Sequence, residues 1–286
     1  MDIFTVKGSE NKSFKINRKI FEEITKKDNL YYPGGNSQYA ICPACKNPIT
    51  IVNLYNNNRY QIGNRKRPKA FGKHHLKSIP RLAQYDEAAY KNCPLSNPKS
   101  FSIVTRRRNK TASNELIEII DNNKELLLKY IREITGISFS KNKFENLLSE
   151  FIKIEGYDYE FINKFNLPYA FLYLQGKRNI YGQKIILDND NGILLKTAIQ
   201  NQSNYYELTN SNQITIKPNK PYVELNVALF NHKIVKENNK LKKQTIDIVF
   251  SEDIIKTGAT NEILRYTVDV DTVRFSSEIK YSNKTI

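Results

Sequence analysis

Apolar and polar positions alternate weakly over residues 2–6 and 13–17, on either side of Gly8-Ser9-Glu10-Asn11, a pattern that predicts a β-hairpin. Phe14, Ile16, Ile20 and Phe21 lead into a short helix near 18–27, which Tyr31-Tyr32-Pro33-Gly34-Gly35-Asn36 breaks. From about 37 to 110 long periodic segments disappear, and the chain is rich in Pro, Asn and Arg. Helical spacing returns at Leu116, Ile117, Ile119, Ile120, Leu126, Leu127, Tyr130, Ile131 and Ile134, with Asn122-Asn123 as an interruption and Gly136 as the C-cap. Phe144, Leu147, Leu148, Phe151 and Ile152 predict a second helix over 141–154, ending at Gly156, with a shorter third one over 157–165.

After Pro168 the period reads as two. Strands are expected at 170–174, 180–187, 193–199, 213–217, 223–230, 246–250 and 263–270, with strand-like segments also at 268–275 and 278–281. Asp188-Asn189-Asp190-Asn191-Gly192, Asn210-Ser211-Asn212 and Pro218-Asn219-Lys220-Pro221 read as the turns between them, which favours an antiparallel sheet over crossover units. The expected fold is α+β. An N-terminal hairpin and helix (1–33) and a basic module (34–110) are followed by a helical segment (111–166) and an antiparallel β-rich domain (167–286).

Composition narrows the class. At 286 residues and 40% hydrophobic the chain can bury a proper core. No apolar run approaches the ~18–20 residues of a membrane span. MDIFTVKGSE lacks the layout of a signal peptide, and three cysteines are too few for a secreted disulfide scaffold, so a cytoplasmic, soluble protein is expected. The formal charge of +16 is unevenly spread: residues 29–114 hold fifteen Lys/Arg and only two acids, Asp86 and Glu87, whereas 115–286 hold 23 basic and 22 acidic residues. Like charges gathered this densely repel one another, a cost tolerated when a polyanion is bound.

The same segment holds every cysteine. Cys42-Pro43-Ala44-Cys45 is followed after 28 residues by His74-His75 and after 17 more by Cys93. Two cysteines separated by two residues can chelate one ion from a single turn, and a structural zinc takes four such ligands tetrahedrally. Residues 41–52 resemble the knuckle of treble-clef and zinc-ribbon modules, with Lys46 where Gly usually follows the second Cys. If 70–76 is extended, His74 shares a small, apolar face with Ala70, Gly72 and Leu76, while His75 shares a basic one with Phe71, Lys73 and Lys77. The expected zinc ligands are therefore Cys42, Cys45, His74 and Cys93. A redox C-x-x-C is disfavoured because Lys46-Asn47-Pro48 does not start a helix. Four protein ligands leave no open position for catalysis.

Around these ligands lie Arg59, Arg65, Lys66, Arg67, Lys69, Lys73, His75, Lys77 and Arg81, and a second basic run follows at Arg106, Arg107, Arg108 and Lys110. With Tyr39, Tyr55, Tyr60 and Phe71 interleaved, the pattern predicts nucleic-acid binding dominated by the phosphate backbone, DNA and RNA not being distinguished. The protein would then serve as the recognition subunit of a larger complex. Two other functions compete. Asp269, Asp271, Glu278 and Lys280 form a D…E-x-K arrangement that in a metal-dependent nuclease would hold Mg²⁺ beside an attacking water. Alternatively, the neutral C-terminal domain serves as a protein–protein adaptor. Asp86 and Glu87 could contribute to a metal site with a histidine, though the cysteines argue against it. No phosphate-binding Gly-rich loop or G-x-S-x-G occurs, His232 has no evident nucleophile beside it, and Asp188-x-Asp190-x-Gly192 lacks the distal Glu of a calcium loop.

Overall fold

The computed structural model describes residues 1–10, 12–55, 69–107, 110–238 and 240–281. Among these the chain is a mixture of eight α-helices and antiparallel sheets. It divides into two compact units, Met1–Pro98 with Thr272–Ser277, and Lys99–Asp271 with Glu278–Ile286. No helix among the described residues is long and apolar enough to cross a membrane.

In the first unit Ile3–Phe4 pairs with Phe14–Lys15 as the alternation predicts. The helix Arg18–Thr25 starts where the Asn17 side chain accepts from the Ile20 N–H (2.9 Å), satisfying one of the orphan donors of a helix start. Its buried Phe21 packs on Phe4 with ring centroids 4.9 Å apart. Gln38–Ile41, Pro48–Val52 and Phe71–His74 form a three-stranded antiparallel sheet in that order. Thr5 bridges to Ile41, and the main chains of Met1 and Gly72 exchange hydrogen bonds, so the N-terminal hairpin is sewn to both edges of that sheet. A Cβ at Gly72 would lie 3.0–3.2 Å from Ile49, Ile16 and Met1, which is why the third strand carries no side chain there.

The second unit is built on a long hairpin, Glu224–Glu237 against Lys240–Ile254, extended by Ala259–Asp269 on one edge and by Arg178–Asn179 on the other. Leu225–Leu229 is buried without interruption, the mark of a strand covered on both faces. Helices Thr111–Asn122 and Lys124–Thr135 are separated at the buried Asn123, and Gly136 ends the second in the left-handed conformation (φ 72°). Lys141–Lys153 follows, capped by Ser140. Residues 157–165 do not form the third helix expected; only the 3₁₀ turn Gly156–Asp158 is present.

Two of the expected strands are helices. Leu167–Gln175 buries Tyr169, Ala170, Phe171 and Leu172 in succession, so no stripe betrays its period, and Pro168 stands in its first turn, where a missing N–H costs nothing. Asp190–Gln202 buries Gly192, Leu195, Ala198 and Ile199, a helical spacing hidden by the exposed Ile193 and Leu194. The Asp188–Gly192 stretch, expected as a hairpin turn, is its N-cap: Asn189 Oδ1 accepts from the Asn191 N–H at 2.8 Å. The Asn189 and Asn191 amides also donate to the Glu133 and Ile134 carbonyls at the end of Lys124–Thr135, so one short loop satisfies two helix termini. Of the 268–275 segment only Val268 and Asp269 are strand, as the end of Ala259–Asp269; Arg274–Glu278 is a helical turn, and 279–281 is not a strand.

The crossing of those two helix ends is tight. A Cβ on Gly192 would stand 1.9 Å from the Ile186 carbonyl oxygen. Gly192→Ala should therefore force the first turn of Asp190–Gln202 away and cost about 2–4 kcal/mol, the range for overpacking at a rigid backbone contact. A clear drop in thermal midpoint by circular dichroism is expected, and an unchanged midpoint would contradict this packing.

Candidate metal centre

The strands position three of the four candidate ligands. Cys42 follows directly on Gln38–Ile41, and the turn Cys42–Asn47 reverses the chain into Pro48–Val52 through hydrogen bonds from the Cys42 N–H to the Asn47 carbonyl (2.8 Å) and from the Lys46 N–H to the Cys42 carbonyl (3.0 Å). Lys46 sits in this turn at φ 61°, the left-handed conformation for which Gly is usual. Its ammonium donates to the Pro43 carbonyl (3.0 Å) and the Glu10 carbonyl (2.6 Å), contacts that offset the backbone cost. His74 ends the third strand opposite Ile49, which brings it to the knuckle end of the sheet. The fourth, Cys93, comes from a separate segment: the short helix Glu87–Lys91 is capped by Asp86, and the Cys93 N–H then donates to the Tyr90 carbonyl.

Their ligand atoms converge. The three sulfurs and the His74 nitrogen all lie within 4.8 Å of one another. Cys42 Sγ is 3.7 Å from Cys93 Sγ, and Cys45 Sγ is 3.2 Å from His74 Nε2. A tetrahedral zinc with Zn–S of ~2.3 Å and Zn–N of ~2.0 Å requires S···S edges of ~3.8 Å and S···N edges of ~3.6 Å. The sulfur–sulfur spacing matches that edge and is far beyond an S–S bond. Three soft sulfurs with one imidazole select a borderline ion over Mg²⁺ or Ca²⁺. This Cys3His group can therefore hold a metal ion.

The electrostatics of the bare thiols point the same way. Burial pushes the Cys42 thiol up to about 12. Hydrogen bonding to Cys42 and Cys45, with burial, raises Cys93 as well. Cys45 is driven far below the ordinary thiol range because Cys42 and Cys93 both donate to it. The three thiols thus oppose one another's ionisation, and a cation at their centre would favour the ionised form of all three.

Sequence reasoning missed the residue that braces the site. Asn47 is fully buried; its Nδ2 donates to Cys45 Sγ (3.4 Å) and to the Asp86 carbonyl (2.9 Å), and its Oδ1 accepts from the Asp86 N–H (2.6 Å). It ties the knuckle to the segment that carries Cys93. The signal was its place two residues after Cys45. The Tyr90 ring lies on His74 at 5.0 Å. His75 stands outside the group, with Nδ1 3.4 Å from Thr50 Oγ1 and its ring edge-on to Tyr39. Asp86 and Glu87 are also outside it, one capping the short helix and the other paired with Lys91 at 2.8 Å.

The basic residues divide. Lys69, Lys73, Lys77 and Arg81 are exposed, and none of the four has a carboxylate within ion-pair distance among the described residues. Arg59, Arg65, Lys66, Arg67 and Arg108 lie outside the described residues. Arg106, Arg107 and Lys110 belong to the second unit and are engaged there. Arg106 covers the Tyr159 ring at 4.6 Å and pairs with Glu155 at 3.2 Å. Arg107 donates to the Tyr157 and Ile162 carbonyls, and Lys110 pairs with the buried Asp158. These three cations hold the Ile154–Ile162 stretch against the start of Thr111–Asn122.

The acidic set near the C-terminus does not converge. Asp269 is exposed and paired with Lys243 at 3.1 Å. Glu278 accepts from Tyr130 (2.7 Å) and Lys129 (3.1 Å). The Asp271 N–H donates to the Tyr169 hydroxyl, and the Lys280 main chain is bound in both directions by the Asn123 amide. Among the described residues the Cys3His group is the one cluster of three or more metal-ligating side chains.

No protein-family model, curated protein or solved structure matches the chain.

His232 is structural. Its ring stacks on Phe101 with centroids 3.9 Å apart, Nδ1 accepts from the Phe101 N–H (3.2 Å), and Nε2 therefore carries the proton towards Gln244 Oε1 (3.2 Å). Burial holds its pKa below the ordinary 6.5, against the Gln244 hydrogen bond. As pH falls the unfolded chain takes up this proton first, so the stability that His232 contributes is present above its unfolded pKa and is lost as pH falls through the folded one. The thermal midpoint should fall more steeply from about pH 7 to about pH 5 in the wild type than in His232→Gln, and parallel slopes would refute the assignment.

Proposed function

We propose that this is a zinc-stabilised nucleic-acid-binding protein that recognises mainly the phosphate backbone. The convergence of Cys42, Cys45, His74 and Cys93 in the more basic of the two units carries the reading. In it, the Cys42–Asn47 turn is a knuckle of the treble-clef or zinc-ribbon kind, and the ion is structural, since four protein donors leave no position for water or substrate. Zinc with three thiolates and a neutral imidazole carries a net −1, and seventeen Lys/Arg against seven Asp/Glu in residues 1–98 more than offset it. What remains is a rigid, positively charged surface. Lys69, Lys73, Lys77 and Arg81 support phosphate contact because they are exposed and, among the described residues, without carboxylate partners; in sequence Arg59, Arg65, Lys66 and Arg67 add to the charge of this part of the chain. The D…E-x-K nuclease reading finds no support in side chains that stand apart.

Metal analysis of the purified protein should find about one zinc per chain, because one set of four ligands exists. Cys93→Ser should release it and open the first unit to protease while the second stays folded. Protein that is metal-free as purified yet equally protease-resistant would overturn the zinc reading.

Binding to duplex DNA and to single-stranded DNA and RNA should weaken steeply with salt. Replacing Lys69, Lys73 and Lys77 by Ala should flatten the log–log slope by roughly 0.7–0.9 for each phosphate that is no longer neutralised, about equally for all sequences. No binding by the wild type at low salt would end the nucleic-acid reading.

A further inference from the structure

The three-stranded sheet of the first unit has two unlike faces. Ile49, Ile51 and Gly72 point inward and are buried, with the hairpin residues Ile16 and Met1 packed under Gly72. The register puts Tyr39 opposite Thr50 and Thr50 opposite Lys73, with Val52 opposite Phe71 in the adjacent row. Side chains alternate along a strand, so these five share the outer face. His75 adds to the Tyr39–Thr50 end through the contacts given above. Phe71 is 37% exposed, Lys73 is exposed, and Tyr39, Thr50, Val52 and His75 are half-buried. None of the six is acidic.

Phe71 keeps more than a third of its surface in water, and Lys73 stands two residues along on the same face, where it adds no apolar burial. Both gain against an unpaired nucleotide, whose base offers a π-face to the ring while its phosphate meets the ammonium. A duplex hides its base faces in the stack, and a flat sheet of this width brings no helix into a major groove. We propose that this face is a stacking platform for single-stranded nucleic acid, with Phe71 packed on a base and Lys73 on the neighbouring phosphate. The proposal rests on the nucleic-acid reading above and adds to it the strandedness of the ligand and the residue that senses the base.

The chain has no tryptophan, so Phe71→Trp places a single reporter on the face. Zinc-loaded Phe71→Trp protein is titrated with oligo-dT, oligo-U, a base-free deoxyribose-phosphate oligomer of the same length and a duplex with the same number of phosphates. Oligo-dT or oligo-U should quench the indole, and the base-free polymer and duplex should bind without quenching it; the two single strands distinguish a DNA from an RNA ligand. Phe71→Ala, with its zinc content checked as a sign of folding, should lose about ten-fold in affinity for the single strands and almost nothing for the other two, as expected for one stacked base. Lys73→Ala should weaken all four alike. If all four polymers bind but the indole is not quenched and Phe71→Ala matches the wild type, the platform is wrong and phosphate binding stands. If none binds at low salt, both readings fall.

Discussion

Where the Cys42–Asn47 turn, the third strand and the Cys93 segment of the first unit meet, three sulfurs and one imidazole nitrogen lie within 4.8 Å of one another. Three thiolates so close repel, and three neutral thiols there gain little beyond van der Waals contact. A divalent cation at their centre, as proposed, turns that proximity into attraction. Two of the segments that supply the candidate ligands bury little of their own: Phe71–His74 has four residues with one buried, and Glu87–Lys91 has five with none buried. Apolar packing gathers instead under the hairpin and the helix Arg18–Thr25. The Asn47 amide ties the Cys42–Asn47 turn to the Cys93 segment, and it would serve a bound metal indirectly, by orienting Cys45 and fixing the chain that delivers Cys93.

The second unit solves its stability in the ordinary way. Its first long strand is buried for five residues in succession, and several of its buried polar groups meet specific partners. Glu252 is fully buried and has no cationic partner among the described residues; its carboxylate instead accepts from the Ser203 hydroxyl, the Asn204 and Tyr205 N–H groups and the Asn261 amide. Those bonds lock the exit of helix Asp190–Gln202 onto the central strand, since a buried carboxylate without them would be costly. Asn123 does the same between two helices, donating to the Ile119 and Lys280 carbonyls.

What could be read from the sequence follows from how local each signal is. The ligand set was legible because metal chelation constrains residue type and spacing at once, and His74 was separable from His75 by strand parity alone. The hairpin, the helices around Leu116–Ile134 and Phe144–Ile152, and the three long strands were legible because their apolar residues recur at the period of the element. Leu167–Gln175 was not, because six buried residues in a row leave no period to read. Asp190–Gln202 was not, because Ile193 and Leu194 filled the exposed side with apolar residues. Glu252 and the Phe101–His232 stack were beyond reach, since their roles depend on partners 47–49 and 131 residues away.

Charge density does not by itself mark a binding surface. A cation that finds a carboxylate, an aromatic face or carbonyl oxygens within its own unit is part of the fold, and removing it leaves those groups unmet. Arg106, Arg107 and Lys110 are of this kind. A cation with none of these partners costs the fold repulsion and returns nothing until an anion arrives. Among the described residues, Lys69, Lys73, Lys77 and Arg81 meet that description, all in the first unit. In the proposed reading the two features explain each other: side chains kept outward for a polyanion cannot pack inward, and a bound metal would supply rigidity that the small core does not.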